Sequence, residues 1–465
     1  MRTGSWTPPM QSPDGAGTLL IELAEWERVG PAEDERLKGI SFADNLPARH
    51  LAEVLRDRMD IREGYRGLEI ATTSFVGRVD IGPLRIAIRP KLPAMPLARL
   101  LRYAYGLRDI TTIEETHAPT TPHGFQDLLI AMLAAEVEEL LYRGLARRYV
   151  PLAEPLESPR GPILVAELAR QGGITDARLP CRYFERRANW HLNQVLRAGL
   201  DSAARMTEDR DLRRRVHRLA GAFGDVERKE KIEITDVDRA ESGLNRMNAA
   251  NASALSIIRL LLEMHGLAFD PAEERLRTHG FLFDMNRFFQ RLVSRFLHDN
   301  LISQRIIDEW PIQGVFSYAP EANPRRRVAP SPRPDFALIR GNALRGFLDS
   351  KYRDIWEHGL PANWLYQLSI YALAAPTRVS ILLYATMADR ARDEQVDIRE
   401  PFLWSTKDPA SVILRPVHLT WLAELLDPDH IHSRALERRR WAENLVVLQA
   451  RHSLRETQGH GPQAA

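Results

Sequence analysis

One stretch of this chain constrains its folding more than any other. Pro334-Asp335 opens an apolar run at 336–339, Gly341-Asn342 supplies a turn, and the next run ends Phe347-Leu348-Asp349-Ser350-Lys351. Two short apolar runs around a glycine turn predict a pair of antiparallel strands. A helical pattern at 363–373 and a third apolar run at 379–384 follow. Strand, strand, helix, strand in that order predicts a mixed sheet flanked by helices. On a strand, residues two apart share a face, so Asp349 and Lys351 project together. Closing the hairpin brings Asp335 to the neighbouring strand, close to Asp349.

That geometry carries chemistry. Two carboxylates held together repel, and one is driven toward protonation unless a cation sits between them. Oxygen ligands suit Mg²⁺, which takes one or two carboxylates and leaves its other positions to water and substrate phosphate. A lysine beside such a cation can orient an attacking water or meet developing phosphate charge. Asp335, Asp349 and Lys351 are therefore candidate catalytic residues for phosphodiester hydrolysis. The tripeptide alone is a weak signal, since composition supplies roughly 0.8 acid-x-Lys occurrences by chance. A second one, Glu227-Arg228-Lys229, lies in a charged stretch without strand or upstream Pro-Asp and reads as a solvated turn. At Asp349, by contrast, an apolar strand ends in two charges, which is costly unless they are solvated or employed. Gln367 and Tyr371, four apart, share one face of the following helix. They form either its polar edge or a support for the site.

Composition closes off other classes. With 465 residues, 44% hydrophobic and 27% charged, the chain has length for about two to four globular domains and is no disordered, collagen-like or coiled-coil sequence. No apolar run reaches the ~18 residues of a membrane span, and the first residues lack a signal-peptide pattern. A single cysteine, Cys181, excludes an internal disulfide and a four-thiolate zinc site, which fits a reducing cytoplasm. The net charge of +2 announces no nucleic-acid partner. Six lysines stand against 58 arginines, a bias that base composition explains but that makes Lys351 stand out. There is no G-x-x-x-x-G-K-[ST], H-E-x-x-H, C-x-x-C or G-x-S-x-G. His430 and His432 follow a turn-like Asp-Pro-Asp and read as surface.

The pattern predicts a mixed α+β and α/β chain in four parts. Residues 1–115 are strand-rich, with runs at 18–23, 68–76, 79–81 and 84–88 and a Gly82-Pro83 turn. Residues 116–270 are helical, with patterns at 125–141, 189–207, 211–221 and 252–264. Residues 271–426 open on a helix at 282–297 and hold the mixed sheet. Residues 427–465 form a polar, arginine-rich helical tail.

Several segments resemble a known family. The Asp-x-Lys strand followed by Gln367-x-x-x-Tyr371 is similar to nucleases of the PD-(D/E)xK superfamily. Ser74-Phe75-Val76-Gly77, Ile86-Ala87-Ile88-Arg89-Pro90-Lys91, Leu100-Leu101-Arg102-Tyr103-Ala104-Tyr105-Gly106-Leu107, Phe281-Leu282-Phe283-Asp284-Met285-Asn286-Arg287-Phe288-Phe289 and Asp349-Ser350-Lys351-Tyr352-Arg353 resemble, in this order, the McrC-type nuclease subunit of McrBC 5-methylcytosine restriction systems. The resemblance runs over about 74–386. It implies a Mg²⁺-dependent endodeoxyribonuclease acting on double-stranded, methylated DNA. It implies metal contacts from Asp335, Asp349 and the Ser350 backbone carbonyl, with Gln367 and Tyr371 in support. It also implies a separate AAA+ GTPase motor of McrB type, which agrees with the missing P-loop. The N-terminal strands near 68–91 would dock into that motor and stimulate it. One departure is Gln290, where the family carries a glutamate aimed at the metal; a glutamine can bond a metal-bound water but brings no charge. Two other readings stay open: a stand-alone or repair nuclease of the superfamily, and a non-catalytic adaptor that only stimulates the motor.

Overall fold

A computed structural model describes residues 18–107, 124–173, 177–266, 280–399 and 409–449. The N-terminal part holds β1 (Leu19–Ala24), β2 (Arg28–Val29), α1 (Leu46–Val54), β3 (Met59–Gly64), β4 (Gly67–Thr72), β5 (Phe75–Ile81), β6 (Leu84–Arg89) and α2 (Ala94–Tyr105). The middle holds α3 (Gly124–Arg143), β7 (Arg148–Leu156), α4 (Val165–Arg170), β8 (Leu179–Arg187), α5 (His191–Met206), α6 (Arg210–Gly221), α7 (Ile234–Ser242) and α8 (Ala252–Gly266). The last part holds β9 (Gly280–Asp284), α9 (Met285–Asn300), β10 (Arg305–Asp308), β11 (Phe336–Arg340), β12 (Ala343–Lys351), α10 (Ile355–His358), α11 (Ala362–Ala374), β13 (Val379–Thr386), β14 (Glu394–Ile398), β15 (Ala410–His418), α12 (Leu419–Leu425) and α13 (Ala435–Leu445). Residues 1–109 and 275–465 gather into one compact unit, and 110–274 into another. Among the described residues no helix is long and apolar enough to cross a membrane.

The middle unit is mostly helical, but it carries an element the periodicity did not announce. β7 and β8 pair antiparallel from Arg148 opposite Arg187 to Leu156 opposite Leu179. Both strands are largely exposed and bear Pro151, Pro155 and Pro180, so they lack the buried alternation that marks a strand in sequence. In the same unit, α3 is buried along most of its length. Gly199 lets α5 close on α8: a Cβ there would lie 2.4 Å from Ile258 Cδ1.

In the other unit, a four-stranded sheet runs β1-β6-β5-β9. The Gly82-Pro83 turn joins β5 to β6 as expected, with Ile81 opposite Leu84. Its fourth strand is a correction to the reading of 282–297 as one helix. Residues 280–284 extend beside β5, and the helix starts only at Met285. Asp284 makes the boundary: its Oδ1 accepts the Asn286 and Arg287 backbone N–H groups, an N-cap that ends the strand and starts the helix. Gly77 permits this pairing. Its φ is +130° and a Cβ would fall 2.0 Å from the Phe281 carbonyl oxygen.

The second sheet is mixed, as predicted, in the order β10-β11-β12-β13-β15-β14. β12, β13 and β15 are parallel; β10, β11 and β14 join antiparallel. β13 is buried along its whole length, as expected for a central strand covered on both faces. α11 covers one face, where Phe347, Leu368, Tyr371, Leu382 and Val412 share a core. Each such side chain contributes about 1.5–3 kcal/mol of burial. The Ser380 hydroxyl donates to the Leu368 carbonyl at 2.8 Å and ties β13 to that helix. On the other face α9 meets the strands, and Phe289 lies 6.2 Å from the Tyr352 ring. The arginine-rich tail does form a helix, α13, and it is docked: Trp441 packs edge-on against Phe296, and Arg415 Nη1 donates to the Asn444, Leu445 and Val447 carbonyls. Residues 450–465 of the tail lie outside the described residues.

Candidate active site

The β11–β12 hairpin brings the sequence motif together, through a device hidden in its middle. A two-residue turn at Gly341-Asn342, with Gly341 at φ +60°, pairs Arg340 with Ala343 and Ile339 with Leu344. Continued unbroken, that register would set Asp335 across from Leu348. Instead it shifts between Ile339 and Leu338, so that Leu338 pairs with Gly346 and Phe336 with Leu348. Arg345 is the extra residue, a β-bulge, and the Thr377 hydroxyl bonds its carbonyl at 2.8 Å. Because strand side chains alternate with period two, this slip, extended by one residue beyond Phe336, is what sets Asp335 across from Asp349, and Asp335 bonds the neighbouring Ser350.

Asp349 is buried, facing α11 beside Phe347, and Lys351 lies two residues along the same face. Lys351 Nζ sits 2.7 Å from Asp349 Oδ2. That oxygen is shut off from solvent, and the Lys351 ammonium is its charged contact. Asp335 Oδ2 is bound from the next residue, accepting the Ser350 backbone N–H at 2.8 Å and the Ser350 hydroxyl at 2.6 Å. Burial pushes the Asp349 carboxyl up to about 6, and the neighbouring Asp335 charge adds to the rise; Lys351 opposes it. For the Lys351 ammonium, burial works downward, but Asp349 outweighs it and the net shift is upward. Two like charges brought together, one of them raised toward protonation, form a donor set that a hard cation would satisfy. Among the described residues no group of three or more His, Cys, Asp or Glu could hold a metal. Two carboxylates and a main-chain oxygen nevertheless suit Mg²⁺, which keeps water and phosphate in its remaining positions.

Gln367 and Tyr371 meet on α11: the Gln367 amide donates to the Tyr371 hydroxyl at 2.7 Å. Burial, then the Asp349 charge, raises the Tyr371 hydroxyl above its usual range, so the ring lies within reach of the site's field. Gln290 lies on another element. It is half-buried on α9, which packs on the Tyr352 face of β12, and it enters none of the hydrogen bonds of this cluster. His430 lies in a short turn at the surface.

Sequence reasoning missed the residues that hold β12 in place. Asn286, in the first turn of α9, accepts the Tyr352 backbone N–H at 3.0 Å and donates to the Ser74 hydroxyl at 2.8 Å. It straps the end of the Asp-x-Lys strand to the N-terminal sheet. Glu25, buried at the end of β1, accepts the Tyr352 hydroxyl at 3.4 Å and the Lys91 backbone N–H at 3.3 Å; burial pushes it up to about 8. Trp364 lies under both cations, with Lys351 Nζ 5.8 Å and the Arg353 guanidinium 5.9 Å from its ring centre. An asparagine at the start of a helix was the one visible signal, and it is too common to single out.

Comparison with known proteins places this architecture. Among curated proteins nothing matches the chain. A chain from the refined half-complex of a tetradecameric assembly of Thermococcus gammatolerans McrB AAA+ hexamers with bound McrC superposes with a TM-score of 0.61 at 18% identity. The match covers 92% of this chain and 100% of that one, and it shows a shared fold. A chain of the Thermococcus gammatolerans McrBC complex seen by cryo-EM gives 0.44 at 18% identity, over 60% of this chain and 88% of that one. The family model for the McrBC 5-methylcytosine restriction system component matches residues 70–385, which run from β4 through the Asp-x-Lys strand and almost to the end of β13. That span is more than half of the sequence, so this chain belongs to the McrBC 5-methylcytosine restriction system component family.

Proposed function

We propose that this chain is the DNA-cleaving, McrC-type subunit of a modification-dependent restriction complex in the cytoplasm, with a PD-(D/E)xK nuclease site requiring Mg²⁺. The observation that carries the reading is the bulged hairpin register, which sets Asp335 opposite Asp349 with Lys351 ion-paired to Asp349 at the same strand end. Asp335, Asp349 and the Ser350 carbonyl would hold the metal. A bound Mg²⁺ supplies charge for the scissile phosphate and lowers the pKa of a water. The protein's own groups do the rest. Ser350 fixes Asp335 through two hydrogen bonds, so that carboxylate needs no reorganisation when substrate arrives. Lys351, raised in pKa and so fully protonated, donates to the attacking water or to the phosphate oxygen as charge develops. Gln367 and Tyr371 face the same region from α11. Hydrolysis leaves a 3′-hydroxyl and a 5′-phosphate.

The chain has no P-loop of its own, so translocation and nucleotide hydrolysis fall to a McrB-type AAA+ GTPase. Double-stranded DNA, methylated at its recognition sites, is the substrate. The test is to purify the chain with such a partner and assay cleavage of methylated and unmethylated DNA with Mg²⁺ and GTP. Cleavage of methylated DNA that Asp349→Asn abolishes is the expected result. Robust cutting by the chain alone without nucleotide would mean a stand-alone nuclease. Partner GTPase stimulation with no cleavage under any condition would mean an adaptor.

A further inference from the structure

Residues 309–335 link β10 to β11 without a strand or α-helix of their own. Loops of this length inside a compact unit are uncommon unless they bind something. This one is rooted in the active site. Its last residue is Asp335, and its base is zipped: the Glu309 N–H donates to the Asp335 carbonyl at 2.8 Å, Ile312 N–H to the Pro332 carbonyl at 2.8 Å, and the Ser331 hydroxyl to the Ile312 carbonyl at 2.7 Å. Ile312 is buried in the same core as Phe347 and Tyr371, on the face that carries Asp349.

The far end is a built turn. Asn323 brackets Arg327 from both sides, its Oδ1 accepting the Arg327 N–H at 2.8 Å and its Nδ2 donating to the Arg327 carbonyl at 2.9 Å. Arg326 N–H donates to the Asn323 carbonyl at 3.0 Å, and Arg326 is held at φ +48°, a conformation that persists only where the surroundings impose it. Six prolines between 311 and 334 stiffen the segment further. The turn presents Arg325, Arg326 and Arg327 to solvent, and among the described residues none of them has an ion-pair partner. Arg434 and Arg438, at the start of the C-terminal helix, are instead tied down, donating to the Glu424 and Leu425 carbonyls. The same loop exposes Phe316, Tyr318 and, at 93%, Val328. Between 314 and 334 it has four arginines against one acid, Glu321.

We infer that residues 309–335 form a stiff arm that grips the phosphate backbone of duplex DNA beside the cleaved bond, through Arg325, Arg326 and Arg327. This rests on the nuclease reading for the place of the DNA. With the backbone turn already in place, only side-chain freedom is lost when the guanidinium groups meet phosphates, and the aromatic side chains suit sugar and base edges at a groove wall. A rooted arm would also set the depth of the scissile phosphate at Asp349.

The test is DNA binding, so its failure is separable from failure of the nuclease reading. The full chain and the variant Arg325→Ser/Arg326→Ser/Arg327→Ser are titrated onto a short duplex by fluorescence anisotropy, without divalent metal, across a salt series. Three lost phosphate contacts should reduce the slope of log affinity against log salt by about 2 to 3. Asn323→Ala, which keeps every charge but frees the turn, should weaken binding and leave the slope in place. If the triple variant loses its thermal transition, Arg326→Ser and Arg327→Ser singly should each lower the slope by about 0.9. An unchanged slope, or a wild-type chain that binds no DNA at low salt, overturns the proposal. So does a triple variant that keeps its DNA slope but no longer associates with the AAA+ partner, since the arm would then face protein. A lowered slope with no cleavage by any preparation would leave the arm standing and remove the nuclease reading.

Discussion

Replacing Asp349 with asparagine should make the metal-free protein more stable at neutral pH while destroying cleavage. The effect is one of proton linkage. Asp349 ionises at about 6 in the fold against an ordinary 3.8, because it is buried and faces Asp335. A carboxyl raised in the folded state favours the protonated form there, so its ionisation opposes folding. The cost is absent well below the ordinary value and grows as pH rises through the window between the two. At 1.36 kcal/mol per unit it reaches about 3 kcal/mol at pH 7.5 and falls to less than about 1 kcal/mol at pH 4. Asparagine resembles the neutral acid in shape and carries no charge, so it removes that cost, less what Lys351 loses with its partner. Urea unfolding of both proteins, followed by tryptophan fluorescence in chelator, should give a stability gap favouring the variant that shrinks toward acid pH. Added Mg²⁺ should raise the wild-type midpoint and leave the variant's nearly unmoved. A variant less stable than wild type at pH 7.5, or an equal gap at pH 4 and pH 7.5, would refute the claim that these carboxylates strain the fold.

Lys351→Ala should lower cleavage by about 10²–10⁴ while the complex still assembles, measured by single-turnover cleavage and gel filtration. Thr377→Val removes the hydroxyl that bonds the bulged Arg345 carbonyl and should slow cleavage as the shifted register loosens, whereas Arg345→Ala, which keeps both the residue count and the backbone carbonyl, should cut at close to the wild-type rate; a Thr377→Val variant that cleaves at the wild-type rate would show that this bond does not hold the register. Gly77→Ala must place a Cβ 2.0 Å from a backbone oxygen at φ +130°, so a loss of at least ~2 kcal/mol is expected in urea unfolding. Asn286→Ala removes the bonds to Tyr352 and to Ser74 and should cost about 1–3 kcal/mol with a slower cleavage step; Asn286→Asp, which can still accept from Tyr352 N–H, should recover part of the loss.

Local pattern determined a good deal of this protein. The Gly82-Pro83 and Gly341-Asn342 turns, the strand that ends in Asp349 and Lys351 and the α11 helix with Gln367 four residues before Tyr371 follow from periods of two and 3.6 and from the backbone freedom of glycine. These signals are legible because they depend only on neighbours along the chain. What the chain could not announce is what depends on distant partners. Residues 281–283 are apolar enough for helix or strand, and the free edge of β5 decides for strand. The exposed β7–β8 ribbon holds its pairing without a buried stripe, so no pattern marked it. Whether Gln290 faces the two carboxylates turns on how α9 seats against β12, which no spacing on the helix records. Above all, a plain hairpin closed by Gly341-Asn342 sets Asp335 against Leu348. Only the bulge at Arg345, stabilised by Thr377 from another part of the fold, brings the two carboxylates face to face. Register is a relation between strands, fixed by packing and by the bonds the bulge makes elsewhere, and so the site's residues were readable in the sequence while their meeting was decided by the tertiary structure.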